Sequence, residues 1–141
     1  MPVTLENIPA VLANDIEMQS ASISAQSRVF RLSDLPVHHS SNGNETLNIL
    51  HGRLPTGEQV SLHESTQPAG AAPNPTHRIA HSEIICLRQG MLEFQHDGDM
   101  DRANSGDVLF VAKGTMHRLR NIGTIPARYF VLAVGGDINE Q

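Results

Sequence analysis

Two short segments in the second half of the chain hold the residues best suited to chemistry. The first runs His77-Arg78-Ile79-Ala80-His81-Ser82-Glu83, and the second places His117 after the turn Lys113-Gly114-Thr115-Met116. On a strand, side chains alternate with period two, so His77, His81 and Glu83 would share one face. Neutral imidazoles and a carboxylate are the donors that first-row divalent ions take. Three such groups plus a distant His would suit Zn, Mn, Fe, Ni or Cu. The same groups serve as general acids and bases when no ion is present.

Strands must carry these residues, and the pattern supplies them. Candidate strands are Arg28–Arg31, Thr46–His51, Gln59–Glu64, Glu83–Arg88, Met91–His96, Asp107–Ala112, His117–Asn121 and Arg128–Val134. They are short, rich in Val, Ile, Leu and Phe, and bounded by turn residues. Asp97-Gly98 is the strongest hairpin signal. Gln67 to Thr76 holds three prolines and reads as a loop delivering the chain to His77. Ahead of the strands, Thr4 could cap a short helix over Leu5–Ala13, and Ser20 to Ser27 reads as a linker. The expected organisation is an N-terminal helical or irregular extension over 1–27, an all-β double-sheet barrel over 28–136 and a tail over 137–141.

Composition narrows the function classes. The 141 residues carry a formal net charge of −5, and the pI is about 5.8. That balance argues against nucleic acid or an anionic membrane as the main partner. Cys86 is the only cysteine, so there is no internal disulfide and no cysteine-built zinc site. No apolar run approaches the length needed to span a bilayer. Residues Met1 to Ser20 carry Glu6, Asp15 and Glu17 and neither Lys nor Arg, unlike a secretory signal, so a cytoplasmic location is expected.

The two segments resemble the paired signature motifs of the cupin superfamily. In the second motif Gly106, Gly114, His117 and Asn121 match, with Ala112 where the pattern has Pro. In the first, His77, Glu83 and Gly90 match, and Gly70 lies one residue too far upstream. With the flanking strands the resemblance spans Arg28 to Gly135. It implies a double-stranded β-helix, or jelly-roll, barrel with a metal or ligand pocket inside. In metal-binding members two histidines and the glutamate of the first motif and the histidine of the second hold the ion. Carried over, those positions are His77, Ile79, Glu83 and His117, and Ile79 cannot ligate. Similar cupins are often homodimers.

Three site readings follow. His81 replaces the ligand missing at Ile79, which needs a bulge or strand curvature to absorb a two-residue displacement. Alternatively His77, Glu83 and His117 form a weaker three-ligand site. Or the site is degenerate, with His81 at the barrel mouth and Ile79 on an apolar floor. The leading expectation is a single-domain cupin with an inward-facing His/Glu pocket for a small organic molecule and a divalent metal. The alternative is a metal-free small-molecule binder without catalysis. An enzyme of this kind would be a dioxygenase, isomerase or lyase. Asn121 reads as a structural hydrogen-bonding residue and Cys86 as a core residue. Phe94, Phe110, Tyr129 and Phe130 read as core or interface aromatics. His63 could face out or line the pocket. His38 and His39 read as loop residues, and His51 and His96 as exposed strand ends.

Overall fold

The computed structural model describes residues 21–136. The expected Leu5–Ala13 helix and the 137–141 tail lie outside the described residues. The strands are β1 (Ala21–Ser22), β2 (His38–His39), β3 (Glu45–Arg53), β4 (Gln59–Gln67), β5 (His77–Arg78), β6 (Ser82–Gln89), β7 (Met91–His96), β8 (Asp99–Asn104), β9 (Val108–Val111), β10 (Met116–Asn121) and β11 (Ala127–Val134). Apart from one 3-10 turn at Leu32–Asp34, all regular structure among the described residues is strand. No helix of the described residues is long and apolar enough to cross a membrane.

Alternation decides which side of each strand meets the core. In β6, Glu83, Ile85 and Leu87 are buried while Ile84, Cys86 and Arg88 are exposed. In β11, Ala127, Tyr129, Val131 and Ala133 are the buried set. The strands form two sheets. The larger runs β1-β3-β4-β11-β6-β9 with β2 added to β3, and the smaller runs β5-β10-β7-β8. Their inner faces share one core of Ile85, Leu87 and Val131 from the large sheet and Leu92, Phe94 and Ala103 from the small one. Ile85 and Leu92 are completely buried, each contributing about 1.5–3 kcal/mol of apolar transfer. This two-sheet barrel is the expected all-β architecture.

Turn chemistry explains two of the connections. Asp97 and Gly98 both have positive φ, 48° and 87°, the backbone that a two-residue hairpin of matching twist requires. Gly90 has φ 89°, and a Cβ there would come within 2.9 Å of Ala127 Cα and Pro126 O. Only glycine lets β7 start directly beside β11.

Several expectations are corrected. Arg28–Arg31 forms no strand. The strand after the Asp97-Gly98 turn is β8, Asp-Met-Asp-Arg-Ala-Asn, which lacks any apolar alternation. It is an edge strand, held by full backbone pairing with β7 and burying only Ala103. His38 and His39 lie on β2 rather than in a loop. Cys86 is exposed, not core, because its parity on β6 turns it to the outer face. Phe110 is 63% exposed for the same reason on β9.

Candidate functional site

The two motifs meet physically. β5 pairs antiparallel with β10, placing His77 opposite His117 and Arg78 opposite Met116. The Gly114 N–H donates to the Ile79 carbonyl at 2.9 Å, and the Arg78 guanidinium donates to the Gly114 carbonyl. The turn before His117 is thereby fastened to the first motif, which fixes where the His117 ring enters the barrel.

The first motif does not lie on one strand. His77 belongs to β5 of the small sheet and Glu83 to β6 of the large sheet, and Ile79 to His81 cross between them without regular pairing. The shared parity of His77, His81 and Glu83 therefore does not put them on a common face. Ile79 is 2% exposed and packs in the apolar core. His81 is fully buried, and its Nε2–H donates to Glu83 Oε2 at 2.8 Å. Neither borders the cavity. The structure brings together His77, Glu83 and His117, and sets His81 behind the carboxylate.

That cavity measures about 160 Å³. Glu83, Ile85, Tyr129 and Val131 come from the large sheet, His77, His117 and Leu119 from the small one, and Asn74 and Pro75 from the loop at its mouth. β4 adds His63, Ser65 and Gln67. Parity left His63 open, since it alternates with Val60, Leu62 and Glu64. The structure turns it inward, while Glu64 lies on the outer face between Arg88 and Arg128. The signal was the polar series His63, Ser65, Gln67 at period two. It was masked by Val60 and Leu62, apolar residues of the opposite parity that compete for the inner face.

Burial works against charge on two of the cavity's rings. Burial lowers the pKa of His117 and of His63, with the Glu83 charge opposing in both cases. Below the ordinary imidazole value of 6.5, the unfolded chain takes up protons that these folded rings refuse. Stability should therefore fall as pH drops through 6.5, with each ring adding up to about 1.4 kcal/mol per pH unit to the slope. Urea midpoints between pH 8 and pH 5 test this, and His63→Gln should flatten the acid limb. A flat wild-type profile would contradict the assignment.

Tyr129 is 6% exposed and lines the cavity. Burial raises its pKa to about 12, against a hydrogen bond with Ser65. It is the only tyrosine of the chain, so tyrosinate absorbance reports it alone. An alkaline titration should show its midpoint near 12 in folded protein and near 10 in urea. A folded-state midpoint near 10 would place the phenol in water.

The donor set can be tested against a divalent ion. His117 Nε2 and Glu83 Oε1 stand 3.6 Å apart, too long for a hydrogen bond. Two ligands of one ion, each with a bond of about 2.0–2.2 Å, are separated by a similar distance. The His77 and His117 ring centroids are 4.6 Å apart, and His117 Nδ1 is buried without a partner. Yet among the described residues no three His, Cys, Asp or Glu side chains converge so as to hold an ion. As placed, these residues do not fit a closed metal shell. The Ile79 side chain lies in the core, and the second oxygen of Glu83 is engaged by His81.

The cupin domain profile matches residues 62–134, more than half of the chain. The chain belongs to the cupin family. It is similar to an uncharacterized protein of Methanocaldococcus jannaschii, 24% identical over 63% of this chain and 71% of the relative. Among solved structures it is similar to a predicted oxalate decarboxylase of Thermotoga maritima, with TM-score 0.64, 19% identity, 77% of this chain and 99% of that one. It is also similar to an RmlC-like cupin of Methanocaldococcus jannaschii described as a double-stranded β-helix, with TM-score 0.57, 15% identity, 78% of this chain and 92% of that one. Identities at this level show the double-stranded β-helix fold and leave the activity open.

Proposed function

We propose that this cupin binds a small polar organic molecule inside the barrel, through hydrogen bonds and proton exchange with its own side chains. One observation carries the reading. Glu83, three imidazoles and the Tyr129 phenol border a single cavity lined from both sheets. Neutral rings accept and donate hydrogen bonds, the carboxylate accepts a proton, and Ile85, Leu119 and Val131 supply an apolar wall. His81 holds one oxygen of Glu83, which leaves the other directed toward His117.

A second reading is favoured by the 3.6 Å separation of Glu83 and His117. A divalent Zn, Mn, Fe, Ni or Cu ion would need a third donor beside those two, and His77 is the candidate nearest to His117. When bound, such an ion would supply Lewis-acid polarisation.

Elemental analysis of untagged protein, followed by a thermal-shift screen of small organic acids, amines and polyols, separates the readings. The first expects less than a tenth of an equivalent of metal and a ligand whose stabilisation disappears in His117→Ala. Near one equivalent of a transition metal, lost in His117→Ala, would establish the second. No ligand and no metal would defeat both.

A further inference from the structure

The smaller sheet presents an outer face whose charge opposes that of the chain. Leu119 of β10, Leu92 and Phe94 of β7 and Ala103 of β8 turn inward to the core. Strand alternation therefore sends Arg118 and Arg120 of β10, Glu93 of β7 and Arg102 of β8 to the outer side. Register sets Arg120 opposite Glu93 and Glu93 opposite Arg102, in one row across the sheet. Arg118 stands one row further along β10, about 7 Å from Arg120. Arg78 of β5 joins them opposite Met116. Four of the ten Lys and Arg residues of a chain with net charge −5 thus share this face. Glu93 is the one carboxylate among the outer positions of these strands, and it stands 3.9 Å from Arg120 Nε. Among the described residues Arg102 and Arg118 have no ion pair, and Arg118 Nε is buried without a partner. The nearby acids are engaged elsewhere. Asp97 accepts from Met116 N–H, and Asp101, which shares the inward parity of Ala103, bonds His96.

We infer that this face docks an acidic segment of a partner protein, whose carboxylates pair with Arg102, Arg118 and Arg120. Guanidinium groups hold carboxylates through two parallel hydrogen bonds. The spacing suits an extended chain. Alternate residues of a strand are about 7 Å apart, the same separation as Arg118 from Arg120. Met91, Met100 and Met116, every methionine among the described residues, lie on the same outer side. Their flexible thioethers give a polypeptide apolar contact between the charges. Phosphate would also answer the arginines, but the outer positions hold no aromatic ring on which a base would stack. A long polyanion or an anionic bilayer also meets the repulsion of the whole chain. A short acidic segment feels mainly the local arginines, because charges beyond about 10 Å are screened.

The test follows the fluorescence anisotropy of a labelled peptide of alternating Glu and Ala, titrated with the full chain. Binding should be tighter than about 1 mM at about 50 mM salt and about fivefold weaker at about 200 mM. A matching peptide of alternating Lys and Ala should not bind. Arg102→Gln and Arg120→Gln should each weaken binding about threefold, and together about tenfold, as loss of exposed ion pairs does. Arg53→Gln removes the same charge from β3 of the large sheet and should change binding less than about twofold. Glu93→Gln removes the face's own carboxylate and should strengthen binding about threefold, an effect that no folding defect produces. Three results would overturn the inference. One is no peptide binding up to about 1 mM. A second is equal loss in Arg53→Gln and Arg102→Gln, which makes the attraction diffuse. The third is a uridine oligonucleotide or a phosphatidylserine vesicle that binds more tightly than the peptide and depends on Arg102 and Arg120, which makes phosphate the ligand.

Discussion

Ile79→His is expected to cost about 3 kcal/mol of stability in chelator-treated protein and to tighten Zn or Mn binding at least tenfold. The cost has two parts. Ile79 is 2% exposed among Ile85, Leu87, Leu92 and Phe94, so removing it forfeits about 1.5–3 kcal/mol of apolar burial. An imidazole in its place adds about 1–3 kcal/mol if its nitrogens find no partner. The gain comes from the site. Glu83 and His117 already stand 3.6 Å apart, and position 79 lies on the crossing segment between His77 and Glu83. Because the position 79 side chain lies in the core and outside the cavity, the new ring must swing out of the core to act as a third donor, and the ion's binding energy must drive that movement. Melting curves with chelator and with added Zn read the cost and its recovery together, and a competition titration reads the affinity. Lost stability with no gain in metal binding would mean the new ring stays in the core. Unchanged stability would contradict the burial of Ile79.

Asn121→Ala is expected to destabilise the barrel by about 3–5 kcal/mol, as much as the loss of a large core side chain. The Asn121 amide Nδ2 donates to the Gln67 carbonyl and to the Ile125 carbonyl, each at 2.9 Å. Its Oδ1 accepts from Gly123 N–H at 2.8 Å. Its backbone N–H donates to the Gln67 side chain, which in turn donates to the Leu119 carbonyl. Asn121 is 6% exposed and Gln67 1% exposed. Alanine would leave three backbone groups without partners, each costing about 1–3 kcal/mol where it is shut off from water. This cluster ties β10 of the small sheet to β4 of the large sheet, which share no strand pairing. It thereby holds the strand of His117 against the strand of His63. Urea unfolding measures the loss, and Asn121→Asp, which keeps the acceptor but turns a carboxylate oxygen toward the Gln67 and Ile125 carbonyls, should lose at least as much at neutral pH. A stability change under 1 kcal/mol in Asn121→Ala would show that water replaces these bonds. The structural role expected for Asn121 is the one its bonds describe.

Legibility in the sequence differed between elements. β7 was readable to the residue, and β6, β10 and β11 to within one residue at each end, because strong alternation and bounding turns coincide there. β8 was not, since an edge strand held by backbone pairing needs no apolar residues. In the site, His77, Glu83 and His117 were legible through type and spacing, and all three border the cavity. His63 was ambiguous, because the apolar Val60 and Leu62 have the opposite parity and compete with the polar series His63, Ser65, Gln67 for the inner face.

The sequence by itself determined the barrel class, the turns and the side to which most strand residues point. These follow from local rules of side-chain alternation, turn conformation and glycine geometry. The tertiary structure alone decided the partnership of the site residues. Alternation says which side of a strand a residue occupies but not which sheet that strand joins. The chain changes sheets between Arg78 and Ser82, and that crossing separates His77 from the face of Glu83, buries Ile79 in the core and sets His81 behind Glu83 as its hydrogen-bond partner.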